Sequence, residues 1–326
     1  MSVASDKIRT LLDLSTIELA PRARALRHQV WQKRVFVRGI IEFSNYCQQN
    51  CLYCGLRRDN VPLSRYRLSR REIMNQARLI KKLSIGTVVL QAGEDLYYDE
   101  TFVSDLIKTI KDELGLAITL SLGERSPREL QCWRQAGADR YLLKIETFAL
   151  SLYRKLRPGC SLEQRLASIK LLQDLGYETG SGLITGLPGQ NQAILAEDLA
   201  ALAALDLDMI SLSPFCPHPQ TPLGQCTPNS VEENLKAMSI TRIYNPRSHI
   251  PVTSALSLHG DGIRSQALAN AADVIMFSFT PVAVRASYNI YPGKNMSDSS
   301  PEARAAAIMN GLRRDGFDLS SDTDVA

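Results

Sequence analysis

Short apolar, β-rich runs alternate with longer amphipathic stretches along most of the chain. Eight runs predict strands, at residues 35–44, 87–92, 116–122, 140–146, 177–185, 209–215, 249–255 and 273–279. Between them, stretches such as SRREIMNQARLIKKL and LEQRLASIKLLQDLG carry apolar residues at helical spacing, and Ser69 and Ser161 are candidate helix caps. Eight strand–helix units favour a closed (β/α)8 barrel of the TIM type, an α/β fold of about 250 residues. An open doubly wound sheet is the alternative, but no Gly-x-Gly-x-x-Gly turn follows the first strand.

The pattern also predicts how the chain is divided. No linker rich in Pro, Gly or Ser interrupts residues 35–290, so the barrel, residues 35–294, is expected to be one domain. Residues 1–34 are predicted to form an amphipathic helical extension. Residues 295–326 are polar and form a short C-terminal extension, whose last ten residues are expected to be disordered.

Composition and charge exclude several classes of protein. The 326 residues are 44% hydrophobic and 22% charged, which is typical of a globular protein with a substantial core. The net charge of +4 is too small and too evenly spread to predict binding to nucleic acid or to a membrane surface. No apolar run approaches the ~18 residues of a membrane helix, and no secretory signal is predicted. The seven cysteines argue against a disulfide framework and for a reducing compartment such as the cytoplasm.

Three of the seven cysteines lie in the loop after the first predicted strand, where they form a possible metal site. Cys47, Cys51 and Cys54 have the spacing Cys-x3-Cys-x2-Cys. Loops that follow strands make the active-site face of a barrel. Three thiolates can bind three irons of a cubane cluster and leave the fourth iron open to a reactive ligand. Zinc is the alternative metal, with His218 or His259 approaching from another strand end.

The cysteine motif, with Tyr53 before its last cysteine, resembles the signature of radical S-adenosylmethionine enzymes. The resemblance extends from about residue 35 to 294 and includes FSNYC, CLYCGLRRDN, RYRLS, VVLQAGED, RKLRP, GYETGSG, GLPGQ, PFCPHPQTPL and YPGK. These blocks are most similar to the HydE type of FeFe-hydrogenase maturase, in a group with biotin synthase and methylornithine synthase. The resemblance implies a [4Fe-4S] cluster and S-adenosylmethionine, which one electron cleaves to methionine and a 5′-deoxyadenosyl radical. That electron is expected from an external donor of flavodoxin or ferredoxin type.

The resemblance also implies roles for individual residues. The cofactor is expected to contact Tyr53, Gly93, Glu94, Ser121, Glu146 and Arg165, of which Arg165 would bind the methionine carboxylate. A basic, hydroxyl-lined cavity for a small anionic or amino-acid-derived substrate is expected to include Thr119, Arg140, Lys144, Thr253, Ser254, Tyr288 and Tyr291.

Several of these assignments have structural alternatives. Glu94 could instead be a carboxylate at a helix start, and Arg165 an exposed helix arginine. Each tyrosine could equally be a core residue. Lys144 needs an anionic partner, which is either Glu146 on the same strand or a carboxylate of the substrate; the substrate is slightly favoured.

Two features depart from the HydE pattern. Lys144-Ile145-Glu146-Thr147 replaces Arg-His-Glu-Thr, which leaves the natural substrate open, and no cysteine follows Cys226, so an accessory cluster is not expected. The favoured function is a HydE-like enzyme that acts with other maturases on a small cysteine- or iron-derived precursor of the FeFe-hydrogenase cofactor. The alternatives are a radical mutase or sulfur-inserting enzyme of the methylornithine synthase or biotin synthase type, a zinc-dependent barrel hydrolase, and a non-catalytic iron–sulfur carrier.

Overall fold

Eight parallel strands build a barrel at the predicted positions. The computed structural model describes residues 3–296 and 299–320. The strands are β1 Arg34–Ser44, β2 Thr87–Ala92, β3 Ala117–Ser121, β4 Arg140–Leu142, β5 Glu178–Thr185, β6 Met209–Pro214, β7 Pro251–Val252, β8 Val274–Ser278 and β9 Asp318–Ser320. The first eight coincide with the eight predicted runs, so the predicted (β/α)8 fold is confirmed.

The order of the strands shows how the barrel closes. They are hydrogen-bonded in the order β6-β5-β4-β3-β2-β1-β8-β7, and neighbouring strands are parallel. A parallel bridge between Met209 and His249 joins β6 to the segment before β7, and the Ile210 amide donates to the His249 carbonyl at 2.8 Å. All the strands therefore end at one rim of the barrel, where the loops that follow them meet.

Helices surround the sheet and cover its apolar outer face. They are α1 Val3–Asp13, α2 Thr16–Trp31, α3 Arg70–Lys82, α4 Glu100–Leu114, α5 Pro127–Gln135, α6 Leu150–Leu156, α7 Leu162–Asp174, α8 Gln192–Ala203, α9 Val231–Tyr244, α10 Ser254–Ser257, α11 Asp261–Asn270, α12 Val282–Arg285 and α13 Pro301–Arg314. Ser69 and Ser161 cap α3 and α7 by accepting backbone N–H bonds, as predicted. None of the helices in the described part of the chain is both long and apolar enough to cross a membrane.

Both ends of the chain differ from their predicted structure. The N-terminal extension is two helices rather than one, because Ser15 starts a capping box with Glu18 at the beginning of α2. At the other end, part of the stretch expected to be disordered is strand β9, which pairs in parallel with the start of β1. Phe317 and Leu319 pack against the core there. The prediction missed them because most residues of this segment are polar. Residues 321–326, the rest of that stretch, lie outside the described residues.

The interior of the barrel is polar, whereas the layer between strands and helices is apolar. Arg38, Thr87, Thr119 and Arg140 are buried in or near the lumen toward the starts of the strands. Thr119 of β3 pairs in register with Arg140, the first residue of β4. This polar layer lies below the rim at which the strands end, and the site lies above it.

Candidate active site

The loop after β1 carries the three cysteines, and neighbouring loops hold it in place. The Leu52 amide donates to the Leu156 carbonyl at 2.9 Å, and the Gly55 amide donates to the Ile290 carbonyl at 3.0 Å. Cys47, Cys51 and Cys54 are free thiols. The loop is thus anchored to the segments after β4 and after β8.

Arg65 fixes the two ends of the cysteine loop to each other, a role that the sequence analysis missed. Its Nη1 donates to the carbonyls of Asn45 at 2.5 Å and Leu56 at 3.0 Å, and its Nη2 donates to the Arg57 carbonyl at 2.7 Å. One guanidinium therefore spans the segment that contains all three thiols. Its planar fork of donors suits this task, which a lysine could not perform.

The environment of the thiols fits an iron–sulfur cluster. Burial raises the pKa of Cys47 to about 11, and burial with the neighbouring thiols raises the pKa of Cys54 well above its ordinary value. Three crowded thiolates therefore need a cationic metal group to balance them. Within residues 3–296 and 299–320, no three His, Cys, Asp or Glu side chains are grouped around the position of a single metal ion. A cubane cluster has a different requirement, since each thiolate binds a separate iron.

The end of β2 packs directly on the cysteine loop, and Gly93 makes this possible. A Cβ atom added to Gly93 would lie 2.1 Å from the Tyr46 carbonyl oxygen and 2.8 Å from the Cys47 Cβ. The Gln48 amide also donates to the Glu94 carbonyl at 3.0 Å. Gly93 therefore allows the close backbone approach that places Glu94 beside the cysteine loop.

A buried group of charges lies next to this contact. Glu94 Oε1 is 3.3 Å from Arg165 Nη2 and 3.7 Å from Arg157 Nη2, and its Oε2 accepts a hydrogen bond from Gln49 at 2.6 Å. Arg165 Nε is 2.9 Å from Glu124 Oε1. Arg165 is 3% exposed, which rules out its alternative as an exposed helix residue. The sequence analysis did not identify Arg157, although the block RKLRP contains it.

A cavity of about 240 Å³ opens inside the barrel on the other side of Cys54. Eight of the predicted site residues line it: Tyr53, Cys54, Ser121, Lys144, Glu146, Thr253, Ser254 and Tyr291. Further hydroxyls come from Ser211 and Ser213, and apolar walls come from residues such as Val89, Leu142, Ile184 and Phe215. The lining therefore combines hydroxyl groups with the charged side chains of Lys144, Lys294 and Glu146.

Lys144 and Glu146 project into this cavity together, as their spacing predicted. Lys144 Nζ is 3.0 Å from Glu146 Oε2 and 3.4 Å from Ser213 Oγ. Glu146 has a positive φ of 76°, an uncommon conformation for a residue with a side chain. Its amide donates to the Gly182 carbonyl at 2.9 Å, and this bond holds the conformation against β5. The intramolecular partner for Lys144 is therefore present in the structure.

Three residues predicted to bind substrate do not line the cavity. Arg140 is wrong as a cavity residue, because it begins β4 at the opposite end of the barrel and pairs with Glu178 at 2.5 Å. Thr119 shares the inward face of β3 with Ser121 but lies one layer deeper. Tyr288 is 2% exposed and lies behind the wall, with Lys294 Nζ 5.2 Å from its ring centroid.

Lys294 lines the cavity and is a residue that the sequence analysis did not single out. Its Nζ is 3.1 Å from Glu42 Oε1, and the Glu42 side chain is fully buried at the end of β1. Glu42 also accepts hydrogen bonds from Ser278, Thr280 and Asn295. Burial alone would raise the pKa of Glu42, but Lys294 and these donors hold it below its usual range.

Comparison with known proteins gives a consistent result. Residues 41–202 match the model of the radical SAM superfamily. Over 272 residues, 83% of this chain and 78% of the relative, the chain is 47% identical to the [FeFe] hydrogenase maturase subunit HydE of Thermotoga maritima. It is 33% identical to 3-methylornithine synthase of Methanosarcina acetivorans, over 88% of this chain and 83% of that protein. A crystal structure of methylornithine synthase superposes with a TM-score of 0.87 and 28% identity, covering 99% of this chain and 96% of that one.

Proposed function

The chain belongs to the radical SAM superfamily, and from that premise we propose that it is a HydE-type maturase. As a member of the superfamily it is an enzyme that uses a [4Fe-4S] cluster and S-adenosylmethionine. We propose that it acts on a small cysteine- or iron-derived precursor during assembly of the FeFe-hydrogenase cofactor. The observation that carries this proposal is the identity to HydE along most of both chains. Membership of the superfamily sets aside the zinc hydrolase alternative.

The cysteine loop and the end of β2 are the proposed cofactor site. Cys47, Cys51 and Cys54 would hold the cluster, which supplies the electron that cleaves the sulfonium of S-adenosylmethionine. The guanidinium groups of Arg157 and Arg165 are proposed to bind the methionine carboxylate. Nε of Arg157 is buried and has no hydrogen-bond partner in the described residues, so this N–H group is available to donate to a bound carboxylate.

The cavity beyond Cys54 is the proposed substrate site. Glu146 is proposed to accept hydrogen bonds from the ribose hydroxyls or the ammonium of the cofactor, since a carboxylate accepts from both. Lys144 is proposed to bind a carboxylate of the substrate, with Thr253 and Ser254 adding hydroxyl groups. The apolar wall residues would keep water out of the cavity during radical chemistry.

The Lys144→Met variant separates substrate binding from cofactor cleavage. Loss of the ammonium removes a charge-assisted bond worth about 1.5–3 kcal/mol, so turnover of the substrate should fall by at least tenfold. Cleavage of S-adenosylmethionine without substrate should continue at the wild-type rate. The exposed Lys170→Met on α7 is the matched control and should change neither rate.

Two other results for Lys144→Met would indicate that Lys144 has only a structural role. If Lys144→Met loses S-adenosylmethionine binding, or unfolds, then the lysine serves only as the partner of Glu146. Rates of 5′-deoxyadenosine formation with and without substrate, measured beside a thermal unfolding curve, distinguish these cases.

The proposed function itself is tested by replacing HydE in a hydrogenase maturation mixture. The mixture contains the other maturases, apo-hydrogenase, S-adenosylmethionine and a reductant. The protein should activate hydrogen evolution, and the Cys54→Ala variant should not. An inactive wild-type protein that still cleaves S-adenosylmethionine would contradict a maturase and leave its superfamily membership intact.

A radical mutase of the methylornithine synthase type is the second candidate. It is favoured by the superposition along 99% of the chain, and Lys144-Ile145 in place of the Arg-His of the maturases leaves the natural substrate open. Methylornithine formation in the same anaerobic assay would support it. Under either function we propose an external one-electron donor of flavodoxin or ferredoxin type, work in the reducing cytoplasm and, for a maturase, contact with the other maturases.

A further inference from the structure

Three exposed apolar side chains lie beside the start of the cysteine loop. Tyr46 is 37% exposed, Leu96 is 57% exposed and Tyr97 is 67% exposed. The Arg67 guanidinium lies between the two tyrosine rings, 3.8 Å from the Tyr46 centroid and 4.4 Å from the Tyr97 centroid. We call these four residues the cluster-side patch. Interfaces are enriched in Tyr and Arg, and two rings that pack on one guanidinium are already ordered before a partner binds.

The patch is joined directly to one cluster ligand. Tyr46 precedes Cys47 in sequence, and the segment that carries Leu96 and Tyr97 follows Gly93, which packs on Cys47. Cys54, in contrast, lines the cavity, whereas Cys47 does not. A protein bound at the patch would therefore lie near the cluster and leave the inner cavity free for substrate.

Positive charge is concentrated in the segment that follows the cysteine loop. Residues 57–71 contain six arginines and one aspartate, so this segment alone has an excess of positive charge larger than the +4 of the whole chain. Asp95 pairs with Arg67 through two short contacts, and Asp59 lies 3.3 Å from Arg58, whose side chain is 65% exposed. These two carboxylates balance two of the six arginines, so the segment keeps a net positive charge. A surface of this sign attracts an acidic partner and speeds its approach at low salt.

We propose that the cluster-side patch and the neighbouring arginines dock a small acidic electron-transfer protein. The inference rests on the proposed reduction of the cluster by an external donor. One electron leaves a reduced flavin or iron–sulfur group of that protein and enters the cluster, and the donor is oxidised by one electron. The same electron is consumed when the sulfonium C–S bond of S-adenosylmethionine breaks, which gives methionine and the 5′-deoxyadenosyl radical.

The test compares a protein donor with a small chemical one in the reconstituted holoenzyme. Tyr97→Asp and Arg58→Glu add negative charge at exposed positions. Formation of 5′-deoxyadenosine is measured with reduced flavodoxin at increasing concentrations and, separately, with dithionite. We expect the flavodoxin concentration for half-maximal rate to rise about tenfold or more in each variant. The dithionite rate, the iron content and the electron paramagnetic resonance spectrum should not change.

Lys82→Glu is the matched control, since it reverses an exposed charge at the C-terminal end of α3, outside the segment of residues 57–71. It should leave both rates unchanged. Wild-type flavodoxin dependence in both Tyr97→Asp and Arg58→Glu would overturn the proposal. An equal fall with flavodoxin and dithionite would also overturn it, because the defect would then lie at the cluster itself. The comparison of flavodoxin with dithionite measures only cleavage of S-adenosylmethionine. It can therefore be interpreted even if the wild-type protein fails in hydrogenase maturation.

Discussion

Replacing any one of Cys47, Cys51 and Cys54 by Ala should abolish the cluster, so that the anaerobically reconstituted protein falls from about four irons per chain to almost none. The physical reason is that three thiolates bind three different irons, and no spare ligand lies within the motif. Burial raises the pKa of Cys47 and Cys54, so at these two positions the protonated thiol is favoured wherever no metal group is bound. Iron analysis and the brown absorption of the protein measure the result.

Cys132→Ala is the matched control for this prediction. Cys132 lies on the outer helix α5, away from the cysteine loop, and its loss should leave the iron content unchanged. Full iron and full absorption in all three loop variants would show that the cluster is assigned to the wrong cysteines.

The second large effect is expected for Lys294→Met, which should lower the free energy of unfolding by about 3–5 kcal/mol at neutral pH. Lys294 is the cation paired with Glu42, whose side chain is fully buried. Without it, a carboxylate remains in the interior with only hydrogen-bond donors from Ser278, Thr280 and Asn295. Urea unfolding of the apoprotein measures the change without involving the cofactor.

The pH dependence of this loss has a defined sign. In the wild type, the pKa of Glu42 is lowered, so the pair contributes stability above the ordinary carboxyl pKa, and that stability is lost as the pH falls through the lower folded value. In Lys294→Met, burial without a cation should raise the pKa of Glu42. The difference between variant and wild type should therefore shrink on acidification.

A second substitution tests whether the pair is the cause. Glu42→Gln combined with Lys294→Met removes both charges and should recover part of the lost stability. If the double variant is as unstable as the sum of the two single variants, Lys294 acts by filling space rather than by its charge.

The fold and the cluster ligands could be predicted because both depend on residues that are close together in the sequence. Each strand is a short apolar run, and the three cysteines are neighbours within one loop. The two-residue period of a strand correctly predicted that Lys144 and Glu146 lie on the same side of the chain. Both side chains face the cavity although regular β4 ends at Leu142.

Other parts of the site depend on contacts between distant segments. Glu42 and Lys294 are joined only by closure of the barrel, and Arg157 meets Glu94 only when the loops after β2 and β4 come together. Arg140 was misplaced because a polar residue in a strand run can lie at either end of the barrel. The predicted run 140–146 already begins with Arg140, and the pairing of β4 with its neighbours confirms that this residue lies at the start of the strand, far from the rim where the strands end.

Whether the protein is a radical enzyme is measured by the amount of 5′-deoxyadenosine that the reconstituted, dithionite-reduced protein forms from S-adenosylmethionine. We expect 5′-deoxyadenosine and methionine in equal amounts from the wild type and neither product from Cys54→Ala. A wild-type protein that carries its four irons yet forms no 5′-deoxyadenosine would contradict the account. In that case the chain would be an iron–sulfur carrier rather than a radical enzyme.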